Sequence, residues 1–265
     1  MRTLALALSD TGALAARHVR HLTRAPGKLI AMILNPLIML IAVGYVFKSS
    51  IVVPGSGVYE EYIMAGIAAQ AGLTLIGPTA IGVALDVRGG LIDRFRSLPI
   101  SRLTVLTGHT LSDLMLGMIC LTVLTAVGAA MGWRFHDGVL PALGAFALLL
   151  AFFYAMIWVG VVIGLTMRNI EAIESMSAIV MVGLSFLSNA FLSIQGLPAW
   201  LRPIAEWNPV SAIATTCREL WGNAAITSST FPGRHPGLVV VLTLCLVMAV
   251  AVPLSLRAYR ADRTR

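Results

Sequence analysis

The 265-residue chain is too apolar for a water-soluble fold, since 58% of its residues are hydrophobic and only 12% are charged, against about 25% charged in soluble domains. With a mean hydropathy of +0.87, it is predicted to be an all-α integral membrane protein, whose size is best counted in spans. The net charge of +7 does not indicate nucleic-acid binding, because the basic residues flank apolar segments and form no stripe or zinc pattern. The three cysteines are far apart and predict neither a disulfide framework nor a metal site.

The N-terminal third begins with a basic segment and continues with two apolar runs. Residues 1–28 carry five basic residues and one acid among leucines, which predicts an interfacial helix; a cleaved signal peptide fits less well, because Asp10 interrupts a short apolar stretch. The runs 29–47 and 62–85 are predicted as the first two spans. Each contains a proline, Pro36 or Pro78, which is tolerated where neighbouring helices satisfy the freed backbone groups.

The stretch from Asp86 to Asp113 is the longest polar interruption in this part of the chain. Helical spacing places its apolar residues on one side, and Pro99 ends the helix before a new one begins. The stretch therefore predicts a short amphipathic surface helix between spans two and three. Its apolar residues are Leu91, Ile92, Phe95 and Leu98, and its charged residues are Arg88, Asp93, Arg94, Arg96 and Arg102.

Four further spans are predicted at 111–131, 139–165, 176–194 and 238–256, followed by a basic tail over 257–265. Six spans are the simplest count. The segment 195–237 is neither polar enough for a free loop nor continuous enough to cross. Helical spacing from Val210 to Trp221 predicts a helix that dips into the membrane or lies along its outer surface. An ordinary amphipathic loop helix fits equally, and the sequence leaves both open.

The distribution of basic residues predicts the orientation. If the N-terminus is cytoplasmic, 14 of the 19 Lys and Arg residues lie in the inner segments 1–28, 86–110, 166–175 and 257–265. The positive-inside rule then places both termini and the stretch from Asp86 to Asp113 in the cytoplasm, and the segment 195–237 outside.

No phosphate loop, zinc-protease motif or nucleophile elbow is present in the sequence. Asp113 is the acid that the span assignment places nearest to membrane depth; it is either a proton relay or substrate contact, or a helix-end acid paired with Arg102 or His109. Polar residues within the spans are few, whereas an ion-driven transporter is expected to carry more buried carboxylates or histidines. The driving energy is therefore expected to enter from outside the spans.

Three stretches, in this order, resemble bacterial type-2 ATP-binding-cassette exporter permeases, in particular the daunorubicin-resistance subgroup. They are GGLIDRFRSLPISRLTVLTGHTLSDL, the run GLTMRN over 164–169, and LPAWLRPIAEWNPVSAIATTCRELWGN over 197–223. The first contains the L-P-I-S-R element, and the resemblance covers essentially the whole chain. One departure is that the family often shows glutamate where this chain has Asp86 and Asp93.

The resemblance implies a non-catalytic membrane subunit that forms a homodimer or pairs with a sister permease. Two copies of a separately encoded ATPase, which bind the ATP and Mg²⁺, would dock on the cytoplasmic face; this chain would bind no cofactor. The docking residues would be Arg88, Leu91, Asp93, Arg94, Phe95, Arg96, Leu98, Pro99 and Arg102. A substrate path along spans one, two and five, with its outer gate, would include Asn35, Gln70, Ser185, Asn189, Trp207 and Asn208.

The substrate would be an amphipathic drug-like molecule, a polyketide or a lipid, exported across a bacterial plasma membrane. Three alternatives remain: a secondary transporter that works without a partner, a membrane enzyme, or a structural membrane scaffold. Binding of the arginines in the stretch from Asp86 to Asp113 to anionic lipid alone would also be consistent with their positive charge.

Overall fold

A computed structural model of the chain describes residues 26–46, 59–89, 102–167, 169–191, 196–223 and 230–261. Most of the predicted interfacial helix over 1–28 lies outside these residues. So do Leu91, Asp93, Arg94, Phe95, Arg96, Leu98 and Pro99 of the predicted docking helix.

The described residues form ten α-helices and contain no strand, as the composition predicts. In chain order they are α1 Pro26–Val46, α2 Tyr59–Leu73, α3 Ile76–Arg88, α4 Arg102–Met131, α5 Val139–Thr166, α6 Ile170–Phe186, α7 Arg202–Glu206, α8 Pro209–Leu220, α9 Phe231–Arg234 and α10 Pro236–Ala261.

Four helical segments of the described chain are long and apolar enough to cross a membrane: Tyr59–Arg88, Leu106–Met131, Val139–Thr166 and Pro236–Tyr259. Met32–Tyr45, within α1, is a shorter apolar helix. The chain is therefore a multi-pass membrane protein built from helices.

The second predicted span is interrupted where α2 meets α3. Pro78 has no N–H to donate to the carbonyl of Thr74, so the regular hydrogen-bond ladder is interrupted there. Thr74 and Leu75 form a turn, and the Thr74 hydroxyl donates to the carbonyl of Ala71 at 2.7 Å. Pro36 causes no such break in α1, which is continuous from Pro26 to Val46.

Helix α5 is the centre of the bundle and packs against α2, α3, α4, α8 and α10. Its closest neighbour is α3, because glycines allow the two backbones to meet. A Cβ on Gly160 would lie 2.7 Å from the carbonyl oxygen of Ile76, and one on Gly164 would collide with the carbonyl oxygen of Ala80. The Gly160–Gly164 pair therefore serves packing within the chain. Phe152, Phe153 and Trp158 fill the core on either side.

Helix α6 differs most from its predicted span, since it covers Ile170–Phe186 and not 176–194. It begins early because the Asn169 side chain accepts a hydrogen bond from the Glu171 N–H at 2.9 Å and caps the helix. Beyond Phe186 the chain leaves the helix and forms a turn over residues 187–191. This turn becomes part of one of the two polar clusters described next.

Candidate functional site

Two buried polar clusters lie at opposite ends of the helical segment Tyr59–Arg88. The first, the histidine cluster, consists of Thr79, Asp86, His109 and Asp113. The Thr79 hydroxyl donates to Asp113 Oδ2 at 2.7 Å. His109 Nδ1 lies 3.3 Å from the same oxygen, and His109 Nε2 lies 3.8 Å from Asp86 Oδ2. His109 is thus placed between a carboxylate on its own helix, α4, and one on α3.

Local sequence explains how the histidine cluster forms. His109 and Asp113 are four residues apart on α4, so their side chains meet on one face. Gly82 on α3 leaves room for the imidazole, because a Cβ at this position would lie 3.2 Å from His109 Nε2. Asp113 is only 7% exposed. The structure therefore places one of its two predicted partners, His109, beside it; the Arg102 side chain lies outside the described set.

The position of the histidine cluster along the chain matters for its role. Helix α3 ends at Arg88, where the Gly89 N–H donates to the carbonyl of Leu85 at 2.8 Å, and α4 begins at Arg102. The two helices that flank residues 90–101 are therefore joined by the hydrogen bond from Thr79 to Asp113, and they also approach each other at Asp86 and His109, close to the point where that segment leaves α3.

The second cluster, the arginine cluster, joins the start of α2, the turn over residues 187–191 and α8. Its members are Tyr62, Asn189, Ala190, Asn208, Ser211, Thr215 and Arg218. Asn208 caps α8, since its Oδ1 accepts from the Val210 N–H at 2.8 Å. Its Nδ2 donates to the carbonyls of Leu184 and Leu187 at 2.9 and 2.7 Å. One side chain therefore ties the end of α6 to the start of α8.

Arg218 is the centre of the arginine cluster and is fully buried. Its Nε donates to the carbonyl of Tyr62 at 2.9 Å, and its Nη2 donates to the carbonyls of Asn189 and Ala190 at 3.0 and 3.1 Å. The guanidinium carbon lies 3.7 Å from the centre of the Tyr62 ring, in a cation–π contact. The Tyr62 hydroxyl donates in turn to the carbonyl of Asn189 at 3.1 Å.

The turn over residues 187–191 is held against α8 by two further bonds. The Asn189 N–H donates to Ser211 Oγ at 3.0 Å, and Asn189 Nδ2 donates to Thr215 Oγ1 at 2.7 Å. Gly66 on α2 admits the backbone of this turn, since a Cβ there would collide with the carbonyl of Ala190.

Comparison of the sequence with known proteins identifies its family. The sequence model described as ABC-2 type transporter matches residues 9–221. The chain is 31% identical over 247 residues to the daunorubicin resistance ABC transporter permease protein DrrB1 of Streptomyces coeruleorubidus, covering 91% of this chain and 84% of that protein.

The chain belongs to the ABC-2 type transporter family.

Two more distant relatives are matched over most of their length. The chain is 23% identical to the probable doxorubicin resistance ABC transporter permease protein DrrC of Mycobacterium tuberculosis, over 98% of this chain and 90% of the relative. It is 25% identical to the putative transport permease ycf38 of Porphyra purpurea, over 82% of this chain and 75% of the relative. These matches confirm the resemblance carried by the three sequence stretches.

The predicted path residues of this ABC-2 type transporter are only partly brought together. Asn189 and Asn208 belong to the arginine cluster, and Ser185 is buried one turn before it, where its carbonyl accepts from the Ser188 hydroxyl at 2.6 Å. Asn35 is exposed on α1, and Gln70 is half-buried on α2. Trp207 is 57% exposed and stacks on Phe231 with 6.4 Å between ring centres.

Sequence reasoning missed Arg218 as a site residue, although it is the most buried cation among the described side chains. A signal for it is present in the helical spacing, since Ser211, Thr215 and Arg218 recur at i, i+4 and i+7 and share one face of α8. Its acceptors are backbone carbonyls, which a sequence pattern does not mark. Among the described residues, no group of three His, Cys, Asp or Glu side chains is arranged to hold a metal ion.

Proposed function

We propose that this chain is the transmembrane permease subunit of an ATP-driven exporter, with ATP hydrolysed by a separate ATPase subunit that docks on the segment from Arg88 to Arg102. Family membership carries the proposal: the ABC-2 type transporter match spans residues 9–221, and the relatives described above are transport permeases by name. The substrate is an amphipathic drug-like molecule, a polyketide or a lipid, as the drug-resistance names of two relatives suggest.

The histidine cluster supports the position of the docking segment. A segment that transmits movement must be attached to the spans on both sides. Here α3 and α4 flank residues 90–101, and Asp86 and His109 lie 3.8 Å apart across the two helices. A push on the segment would therefore move α3 and α4 together and reach α5, against which both pack.

The proposed topology has six spans, both termini in the cytoplasm and the arginine cluster at the outer side. In this topology α1 and α6 supply the first and fifth spans. Helix α6 has 17 residues and a length of about 26 Å, somewhat less than the roughly 30 Å of hydrocarbon. Two permease chains and two ATPase chains form the exporter, the second permease being a copy of this chain or a sister subunit.

The substrate path of this proposal runs along the spans formed by α1, α2 with α3, and α6. An apolar groove of about 420 Å³ lies beside α6 and is lined by residues that include Ile179, Gly183, Ile204 and Asn208. Its apolar lining suits the hydrophobic part of an amphipathic substrate, and Asn208 connects it to the arginine cluster.

The test of the proposed function is co-purification of the ATPase with a permease that carries Phe95→Asp and Leu98→Asp. We expect the variant permease to reach the membrane and to lose the ATPase, because two carboxylates would replace the apolar contacts of docking. Phe135→Asp is the matched control, since Phe135 is an exposed aromatic residue in the turn between α4 and α5. Undiminished ATPase association of the Phe95/Leu98 variant would contradict docking at this segment.

Export without the ATPase separates this function from a partner-independent transporter or membrane enzyme. Substrate efflux is measured in cells that carry the permease gene with and without the ATPase gene. We expect efflux to be lost without the ATPase gene, and efflux that persists would favour the partner-independent alternative.

A further inference from the structure

Arg218, the cation of the arginine cluster, makes contacts that can be broken and formed again. We propose that Arg218 is the lock of the outer segment: its guanidinium holds α8 closed against α2 and the turn over residues 187–191, and it leaves these carbonyls when the exporter opens outward. This inference rests on the proposed function, because it assigns a step of the transport cycle to a residue of the outer side.

The lock joins three separate parts of the chain through one side chain. Tyr62 lies at the start of α2, Asn189 and Ala190 lie in the turn after α6, and Arg218 lies in the last turn of α8. The planar guanidinium holds its N–H donors in fixed, diverging directions, so one side chain reaches the Tyr62 carbonyl with Nε and the carbonyls of the turn with Nη2. Displacement of any one of the three parts therefore breaks at least one charge-assisted hydrogen bond.

The charge of Arg218 is incompletely compensated in the closed arrangement. No described carboxylate lies within ion-pair distance of it, and its acceptors are neutral carbonyls and the Tyr62 ring. Its Nη1 is buried without a hydrogen-bond partner. A buried charge with an unused donor raises the energy of the closed state, because an unpaired buried donor loses its bonds to water. Contact with water in an open arrangement would relieve this cost.

The other contacts between α8 and the turn over residues 187–191 are hydrogen bonds, which can break when the two parts separate. The face of α8 that meets the turn carries Ser211 and Thr215 beside Arg218, and these side chains bond to Asn189. Hydrogen-bonding groups of this kind can be satisfied by water when they part, whereas apolar surface cannot. The adjoining face packs Cys217 and Trp221 against α5 and the Trp133 ring, so a movement of α8 as a unit away from α2 and the turn also uncovers Cys217.

The native Cys217 provides a reporter next to the lock. It is fully buried, and its Sγ lies 3.9 Å from the carbonyl of Ala145 on α5. Burial raises the pKa of the Cys217 thiol, so the thiol stays protonated and reacts slowly while α8 is packed. The chain has only two other cysteines, Cys120 and Cys245, and both can be replaced by serine.

The experiment measures maleimide labelling of Cys217 in the full exporter, permease with ATPase, in cells and with a membrane-impermeant reagent. The variants are Arg218→Lys, which keeps the charge without the fork, and Arg218→Met, which keeps most of the length without the hydrogen bonds. We expect both to label about tenfold faster or more than the parent chain, the effect of losing at least one hydrogen bond from a charged group. Arg134→Lys is the control, because Arg134 donates only to the carbonyls of Ala129 and Trp133 at its own helix end.

A second reporter separates opening of the lock from general loosening. In a chain that keeps only Cys120, buried between α1 and α4 near the carbonyl of Met32, a membrane-permeant maleimide should label the Arg218 variants no faster than the parent. Faster labelling of Cys120 and Cys217 alike would mean that Arg218 only stabilises the fold, and would overturn the proposal. Labelling of Cys217 in Arg218→Met at the parent rate would overturn it as well.

A further test keeps the native Arg218, so it does not depend on whether an Arg218 variant folds. With Cys217 as the single cysteine, impermeant labelling should rise when the ATPase turns over ATP and fall when hydrolysis is blocked. ATP-driven export with constant Cys217 labelling would contradict the proposed role of Arg218 as the lock, while it would leave the exporter function intact. Failure of the ATPase to associate, by contrast, would count against the proposed function and is read separately by co-purification.

Discussion

The two polar clusters use opposite chemistry to join helices. The histidine cluster pairs an imidazole with two carboxylates, so each of its contacts involves side chains that gain or lose protons. The arginine cluster pairs a permanently charged guanidinium with backbone carbonyls, which do not titrate. The contacts of the first arrangement depend on the charges of its side chains, whereas those of the second depend on where the backbone carbonyls lie.

This difference fits the proposed positions of the clusters. The histidine cluster adjoins residues 90–101, where the proposed partner brings its own charged surface. The arginine cluster lies at the proposed outer side, where the proposed release of substrate requires α8 to move as a unit. In the proposed topology, titratable side-chain pairs thus lie on the side of the ATPase, and the buried cation with its backbone acceptors lies on the side of release.

The largest effect of breaking either cluster is expected at Asn208. Asn208→Ala removes the cap of α8 and leaves the carbonyls of Leu184 and Leu187 without their donor, so we expect a loss of roughly 2–4 kcal/mol in unfolding free energy. Thermal unfolding of the purified permease in detergent measures the loss. Asn208→Asp keeps the capping oxygen and should recover only the cap's share of that loss.

Asn35→Ala is the matched control for Asn208, because Asn35 is an exposed asparagine on α1. Its unfolding temperature should equal that of the parent chain. Equal unfolding temperatures for Asn208→Ala and Asn35→Ala would contradict the role of Asn208 as the tie between α6 and α8.

A smaller effect is expected at Asp113 in the histidine cluster. Asp113→Ala leaves the Thr79 hydroxyl and His109 without this partner in a buried site, at a cost of about 1–3 kcal/mol. Asp113→Asn keeps an acceptor for Thr79 but removes the charge that faces His109. We therefore expect near-parental stability from Asp113→Asn together with a lower rate of ATP-dependent export.

The readout at Asp113 is export per ATP hydrolysed, measured with the ATPase bound. Thr79→Val is the control, since it removes the hydroxyl bond and leaves the charge of Asp113 in place. Full export by Asp113→Asn would show that the charge facing His109 plays no part in coupling and that the cluster only packs α3 against α4.

The long helices were the part of the fold most open to prediction. The run 139–165 predicts α5, which covers Val139–Thr166, because an apolar stretch of that length in lipid must satisfy its own backbone as a helix. The prediction was least accurate for α6, where capping by Asn169 and the turn after Phe186 depend on polar residues that hydropathy does not weigh.

The two clusters differ in how far their contacts can be predicted from the sequence. The pairing of Asp113 with His109 could be predicted because four residues on one helix fix their distance. The resemblance implies Asn189 and Asn208 as path or gate residues, but the partners that they bond across the arginine cluster lie more than twenty residues away, so the spacing shows no contact. Arg218 was overlooked because its acceptors are carbonyls, which every residue possesses.

The smallest effect is expected at the side-chain contact between His136 and Glu61, which lies near the arginine cluster with 2.8 Å between Nε2 and Oε1. The His136 side chain is 54% exposed, so solvent screens the pair, and His136→Ala should change stability by only about 0–1 kcal/mol. Glu61 keeps a favourable position without its partner, because it lies in the first turn of α2, where the helix dipole favours a carboxylate. The backbone also holds the turn in the variant, since the His136 N–H donates to the carbonyl of Trp221 at 2.7 Å.

Thermal unfolding of His136→Ala, Glu61→Gln and the double variant measures the coupling between the two side chains. A coupling as large as the loss at Asn208 would mean that a titratable pair also fastens this side, and the contrast between the two clusters would fail.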